Sequence, residues 1–83
     1  MKTRVKIGRE YKTYDLTRCR TVTQLKLREK VLVFHPGTRE FYIAGVVERR
    51  ETSILVREIS ENIAPHQWRI YKGNLFCQVF KIN

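Results

Sequence analysis

The sequence predicts one small all-β domain, a barrel or a sandwich of about five short strands. Three observations predict it. The chain has 83 residues, which allows a single domain around one compact core. From about residue 25 onward, β-branched and aromatic runs recur at roughly ten-residue spacing, each closed by turn residues. Hydrophobic residues make up 42%, so composition does not predict disorder. Bending one sheet of this size into a barrel removes its exposed edges and encloses the core.

In chain order, Thr3 to Ile7 and Tyr11 to Tyr14 flank Gly8 and can pair as a hairpin. Over Asp15 to Lys30, Leu16, Cys19 and Val22 recur every third residue, which hints at a helical turn. Thr17, Thr21, Val22 and Thr23 argue against a long helix. Leu25 and Leu27 then alternate with Lys26 and Arg28, ahead of the apolar run Val31 to Phe34. His35-Pro36-Gly37-Thr38 is a turn. Phe41 to Val47 reads as a strand, with Gly45 as a bulge or sharp bend, and Glu48 to Ser53 as a polar turn. Ile54 to Ile59 is the next strand, and Ser60 to Gln67 a loop around Pro65 or a short helical turn. Trp68 to Tyr71, Lys72-Gly73-Asn74 and Leu75 to Phe80 read as a closing hairpin. The expected organisation is a basic N-terminal segment over residues 1–24 and a barrel over residues 25–83.

The motifs argue against an enzyme. Ser53 and Ser60 lie in no nucleophile elbow, and no glycine loop suits a phosphate. His35 and His66 lack metal-ligand spacing and, beside Pro36 and Pro65, read as turn residues. No metal or cofactor is expected. Cys19 and Cys77 form no Cys-x-x-Cys motif, and a reduced, intracellular setting is the default. Cys77 lies in an apolar run and reads as a core residue, as do Phe41, Phe76 and Phe80. The longest apolar run, Val31 to Phe34, is far short of a membrane span, and the N-terminus has charge but no apolar stretch of a secretory signal.

The formal net charge is +9. Residues 1–30 contribute +7 of it, residues 31–60 none and residues 61–83 +2. A neutral centre behind a basic first third suits DNA or RNA. The candidate phosphate contacts are Lys2, Arg4, Lys6, Arg9, Lys12, Arg18 and Arg20, with Arg49, Arg50, Arg57 and Arg69 on the strands. Phe41 and Tyr42 are adjacent, so one enters the core while the other faces outward. An aromatic pair at a barrel mouth is a platform for a cation or a base.

The segment Lys30-Val31-Leu32-Val33-Phe34-His35-Pro36-Gly37-Thr38-Arg39-Glu40-Phe41-Tyr42-Ile43-Ala44-Gly45-Val46-Val47 resembles the first hairpin of Tudor domains, and Ser53 to Glu58 resembles their third strand. The resemblance covers about residues 27–60 and is most specific at Phe41-Tyr42-Ile43-Ala44. It implies a five-stranded SH3-like barrel in which Phe34 and Tyr42 match two positions of an aromatic cage for methylated Lys or Arg. It also implies a histone tail or other protein segment as partner, in the nucleus. Where the family carries further cage aromatics, this chain has Val56, Arg57, Ile59 and Ser60, so Trp68 and Tyr71 are the rings available to complete a cage. Gly45-Val46-Val47-Glu48-Arg49-Arg50 and Leu55-Val56-Arg57 are similar, over a shorter stretch, to the SH3-like C-terminal DNA-binding domain of retroelement integrases. That likeness implies nucleic-acid binding without a cage.

The charge distribution generates a first prediction. The chain binds nucleic acid at low salt and loses it as salt rises, through counterion release. Replacing Lys2, Arg4, Lys6 and Arg9 with Ala lowers the slope of log affinity against log salt. An electrophoretic titration that shows no binding at low salt rejects the expectation.

Overall fold

The computed structural model describes residues 1–59 and 65–83. Seven strands lie among them: β1 (Lys2–Ile7), β2 (Glu10–Arg18), β3 (Lys30–His35), β4 (Glu40–Arg49), β5 (Ser53–Glu58), β6 (Gln67–Tyr71) and β7 (Val79–Ile82). All pairings are antiparallel, in the order β1-β2-β7-β3-β4-β5-β6. The all-β class is thus as predicted. The strand number exceeds the expected five because β1 and β2 belong to the same sheet. Residues 60–64 of the loop expected over Ser60 to Gln67 lie outside the described residues.

β1 and β2 pair from Lys2–Asp15 to Ile7–Glu10, leaving Gly8-Arg9 as a two-residue turn. Gly8 has φ +62 and Arg9 has no positive φ, the pattern of a primed turn with its left-handed residue first. Such turns match the twist of the flanking strands, which is why glycine stands here.

Val31, Leu32 and Val33 are wholly buried although successive strand residues face opposite sides. The sheet has a core on each face. On one face, Val31 and Val33 join Ala44, Val46, Ile54, Val56, Ile70 and Val79, capped by Cys19, Val22, Leu25 and Leu75. On the other, Leu32 packs with Val5 and Leu16 of the folded-over hairpin and with the half-buried Phe41, Ile43 and Phe80. Each fully buried Val or Leu contributes roughly 1.5–3 kcal/mol.

Five local expectations are corrected. The pairing register shifts between Val46 and Glu48, so the bulge residue is the exposed Val47 rather than Gly45. Regular alternation would place Glu48 beside Ala44 and Val46 in the core. The extra residue turns it outward, opposite Leu55, where it meets Arg69. The predicted closing hairpin does not form. Lys72–Asn74 is a 3-10 turn and α1 (Leu75–Gln78) a single helical turn, after which β7 pairs with β2 and β3 and not with β6. Leu25 to Glu29 is not strand: Arg28 takes φ 67, and its amide donates to the Val46 carbonyl at 2.7 Å. The helical turn hinted at by Leu16, Cys19 and Val22 shrinks to a 3-10 turn over Val22–Gln24, because Leu16 lies in β2. Finally, the buried cysteine is Cys19, whereas Cys77 and Phe76 are exposed on the outer side of α1.

The turn geometry predicts that Gly8→Ala lowers stability by roughly 1–2 kcal/mol, the cost of forcing an L side chain into the left-handed region. Urea unfolding measures it. A loss under a few tenths of a kcal/mol contradicts the turn assignment.

Candidate functional site

The larger core ends at a group of rings. Val33 and Tyr42 form a pair on β3 and β4, so alternation carries His35 onto the same face as Tyr42. Val56 pairs with Trp68, which packs against that core from β6. Trp68 lies 5.0 Å from His35 and 5.8 Å from Tyr42, centroid to centroid, edge to face in both cases. His66 stacks on Tyr42 at 5.5 Å. The indole Nε1 of Trp68 is buried and has no hydrogen-bond partner among the described residues.

Tyr42 is held at its hydroxyl. It donates to Glu40 Oε2 at 2.9 Å and lies 3.3 Å from the Thr38 hydroxyl. The Thr38 amide donates to His35 Nδ1 at 3.3 Å, tying the turn to the ring group. The Thr38 contact lowers the phenol pKa, but burial and the hydrogen bond and charge of Glu40, with Glu58 behind, outweigh it. The phenol is thus held above its ordinary value, so it stays neutral in a negative surrounding. Among the described residues, the β4–β5 pairing runs to the Ala44–Glu58 pair, and beyond it the Ile59 amide donates to the Ile43 carbonyl. A cleft of about 250 Å³ opens there, with Tyr42, Glu40 and Glu58 on its wall and Ile7, Phe41, Ile43 and Ile59 as its apolar part. An aromatic ring beside two carboxylates suits a cation.

Of the four expected ligand aromatics, the structure brings Tyr42 and Trp68 together. Phe34 pairs with Phe41, ring centroids 5.1 Å apart, on the opposite face of the sheet. Tyr71 is exposed on the face of β6 that Trp68 does not share. His35 and His66 take the places expected for Phe34 and Tyr71. The sequence signal for His35 was parity with Val33, hidden by its reading as a turn residue beside Pro36. Arg57 points away from the rings and donates to Gln67 Oε1 at 2.9 Å.

The expected phosphate contacts divide. Lys2, Arg4 and Lys6 alternate along the exposed side of β1, and Arg9 is exposed in the turn. Arg4 and Lys6 lie 4.6 and 5.9 Å from the Tyr11 ring centroid. Lys12 is 3.8 Å from Glu10. Arg18 and Arg20 lie 5.0 and 4.9 Å from the Phe76 ring centroid, and Arg18 donates to the Phe76 carbonyl. Three others are committed within the fold: Arg49 donates to the Leu25 carbonyl, Arg50 pairs with Glu48, and Arg69 holds both Glu48 and the buried Ser53 hydroxyl. No group of three His, Cys, Asp or Glu placed to hold a metal occurs among the described residues.

Comparison with protein-family models, curated proteins and solved structures finds no match.

The Arg69 hydrogen bond, with Arg50 beside it, outweighs desolvation and holds the Glu48 carboxyl below its ordinary value of 4.5. A depressed folded pKa contributes stability that is complete above the unfolded value and is lost as pH falls through the folded one. Glu48→Gln therefore flattens the acid-side fall in Tm below about pH 4.5. Melts across that range that leave the two acid limbs parallel reject the role.

Proposed function

We propose that the chain is a non-enzymatic, Tudor-like binding module on an SH3-like barrel, chromatin-associated and nuclear. It takes a cationic side chain of a protein segment, a methylated Lys or Arg tail, at Tyr42. The observation that carries this reading is the convergence of Tyr42, Trp68, His35 and His66 at one end of the larger core, beside a cleft walled by Glu40 and Glu58. A methylammonium is too weakly hydrated to need strong hydrogen bonds, and ring faces with nearby carboxylates attract it.

The barrel reading is supported by the strand run β7-β3-β4-β5-β6. Four strands form a meander, a 3-10 turn follows, and the last strand returns to pair with the first. Residues of all five contribute to the larger core, and Trp68 of the ring group packs against it.

A second reading has its own observation. The uncovered row Lys2, Arg4 and Lys6 favours nucleic-acid backbone contact, as in the integrase domains. On this reading the basic surface binds the phosphate backbone and no methyl-ligand cage operates; on the first reading the same surface adds nucleic-acid affinity beside the bound tail.

Trp68 is the single tryptophan, so its fluorescence reports directly on the ring group. Titration with histone-type peptides carrying trimethyl-lysine changes that signal, and unmodified peptides bind more weakly. Tyr42→Ala weakens binding about tenfold, in the range of a desolvated cation–π contact. It costs less stability than the roughly 3–5 kcal/mol of a fully buried aromatic. If the intact domain binds no such peptide, the cation reading is lost and the nucleic-acid reading leads.

A further inference from the structure

A second cleft, of about 430 Å³, lies between the edge of β1 and the β3–β4 turn. Arg4, Lys6 and Arg39 all line it, from two elements far apart in sequence. None of the three forms an ion pair among the described residues. The one carboxylate on its wall, Glu40, accepts the Tyr42 hydroxyl and marks the border with the acidic cleft. Three cations facing one carboxylate across a concave space attract an anion.

Arg39 adds an independent observation. It takes φ 58, the left-handed region, and its amide donates to the His35 carbonyl at 2.8 Å to close the turn. Glycine or asparagine fits that conformation with less strain. A charged residue at a strained position on the wall of a basic cleft points to a ligand contact. Tyr11, which pairs with Lys6 across β1 and β2, is 57% exposed, with the Arg4 guanidinium and the Lys6 ammonium over its ring. An exposed ring next to phosphate-binding cations suits an unpaired base better than a duplex, whose bases are already stacked.

We infer that Arg4, Lys6 and Arg39 form a phosphate-binding cleft for the backbone of a single-stranded nucleic acid, with Tyr11 stacking a neighbouring base. This rests on the nucleic-acid reading above and gives it a location. It also adds Arg39 and Tyr11 to the expected contacts.

The test is fluorescence anisotropy of the full chain with labelled oligothymidylate of about ten nucleotides, across a salt series. Arg39→Gly relieves the strained φ, so the variant keeps the fold, which a thermal melt verifies. It weakens binding several-fold and lowers the salt slope by about one. Lys72→Gln, with the same loss of charge in the exposed turn after β6, leaves both nearly unchanged. Tyr11→Ala weakens binding while keeping the salt slope. Equal effects of Arg39→Gly and Lys72→Gln overturn the cleft but leave the nucleic-acid reading standing. Absence of binding by the intact chain overturns both. Tighter binding to duplex with no effect of Tyr11→Ala, or preference for a phosphopeptide of equal charge, overturns the single-strand assignment.

Discussion

Leu32 has no side left for water, and the rest of the fold is arranged around that fact. Its strand lies between two cores, with Val31 and Val33 serving one and Leu32 the other. A sheet of five strands could cover the first face by curling on itself. The second face needs a separate cover, and the β1–β2 hairpin supplies it through Val5 and Leu16. β7 joins the two layers. It pairs with β2 on one side and β3 on the other, and its alternation puts Val79 in one core and Phe80 against the other.

The same layering explains where the clefts lie. At the far ends of β3 and β4 the two cores separate, Phe34 and Phe41 going with one face and His35 and Tyr42 with the other. The hairpin tip at Gly8 hangs over this end and borders both clefts. Glu40 stands between a basic space and an acidic, aromatic one. One short turn, from Pro36 to Arg39, thus sets two clefts of opposite charge side by side. A ligand carrying both a phosphate and a cation could span them only in one orientation.

Much of the fold was legible because it is local. The hairpin at Gly8 and the strands β3, β4 and β5 are bounded by turn residues, and each pairs with its neighbour in sequence. β7 was misread because Leu75 to Phe80 looks like the return arm of a hairpin, while its true partners, Leu16 and Leu32, lie far back in the chain. No local pattern encodes that choice. The bulge at Val47 was misplaced for a related reason. A glycine marks flexibility, but the shift is forced by the charge of Glu48, which cannot share the core with Val46. At the site, Tyr42 is named by the family resemblance, along with Phe34, and Trp68 is named, along with Tyr71, as a ring available to complete a cage. The two histidines were missed because neighbouring prolines gave them a sufficient local explanation. Arg39 was invisible, since nothing in the sequence announces a left-handed arginine.

The position of β7 in the chain also has a kinetic consequence. Pairings between residues far apart in sequence close large loops and slow folding. The strand that joins the two layers is synthesised after both of its neighbours. Until residues 79–82 leave the ribosome, the hairpin has no strand linking it to the sheet, and the apolar faces of β2 and β3 stay open along one edge. A nascent chain paused at that stage presents unpaired strand edges flanked by Leu16 and Leu32, the condition under which chains associate with one another instead of completing their own sheet.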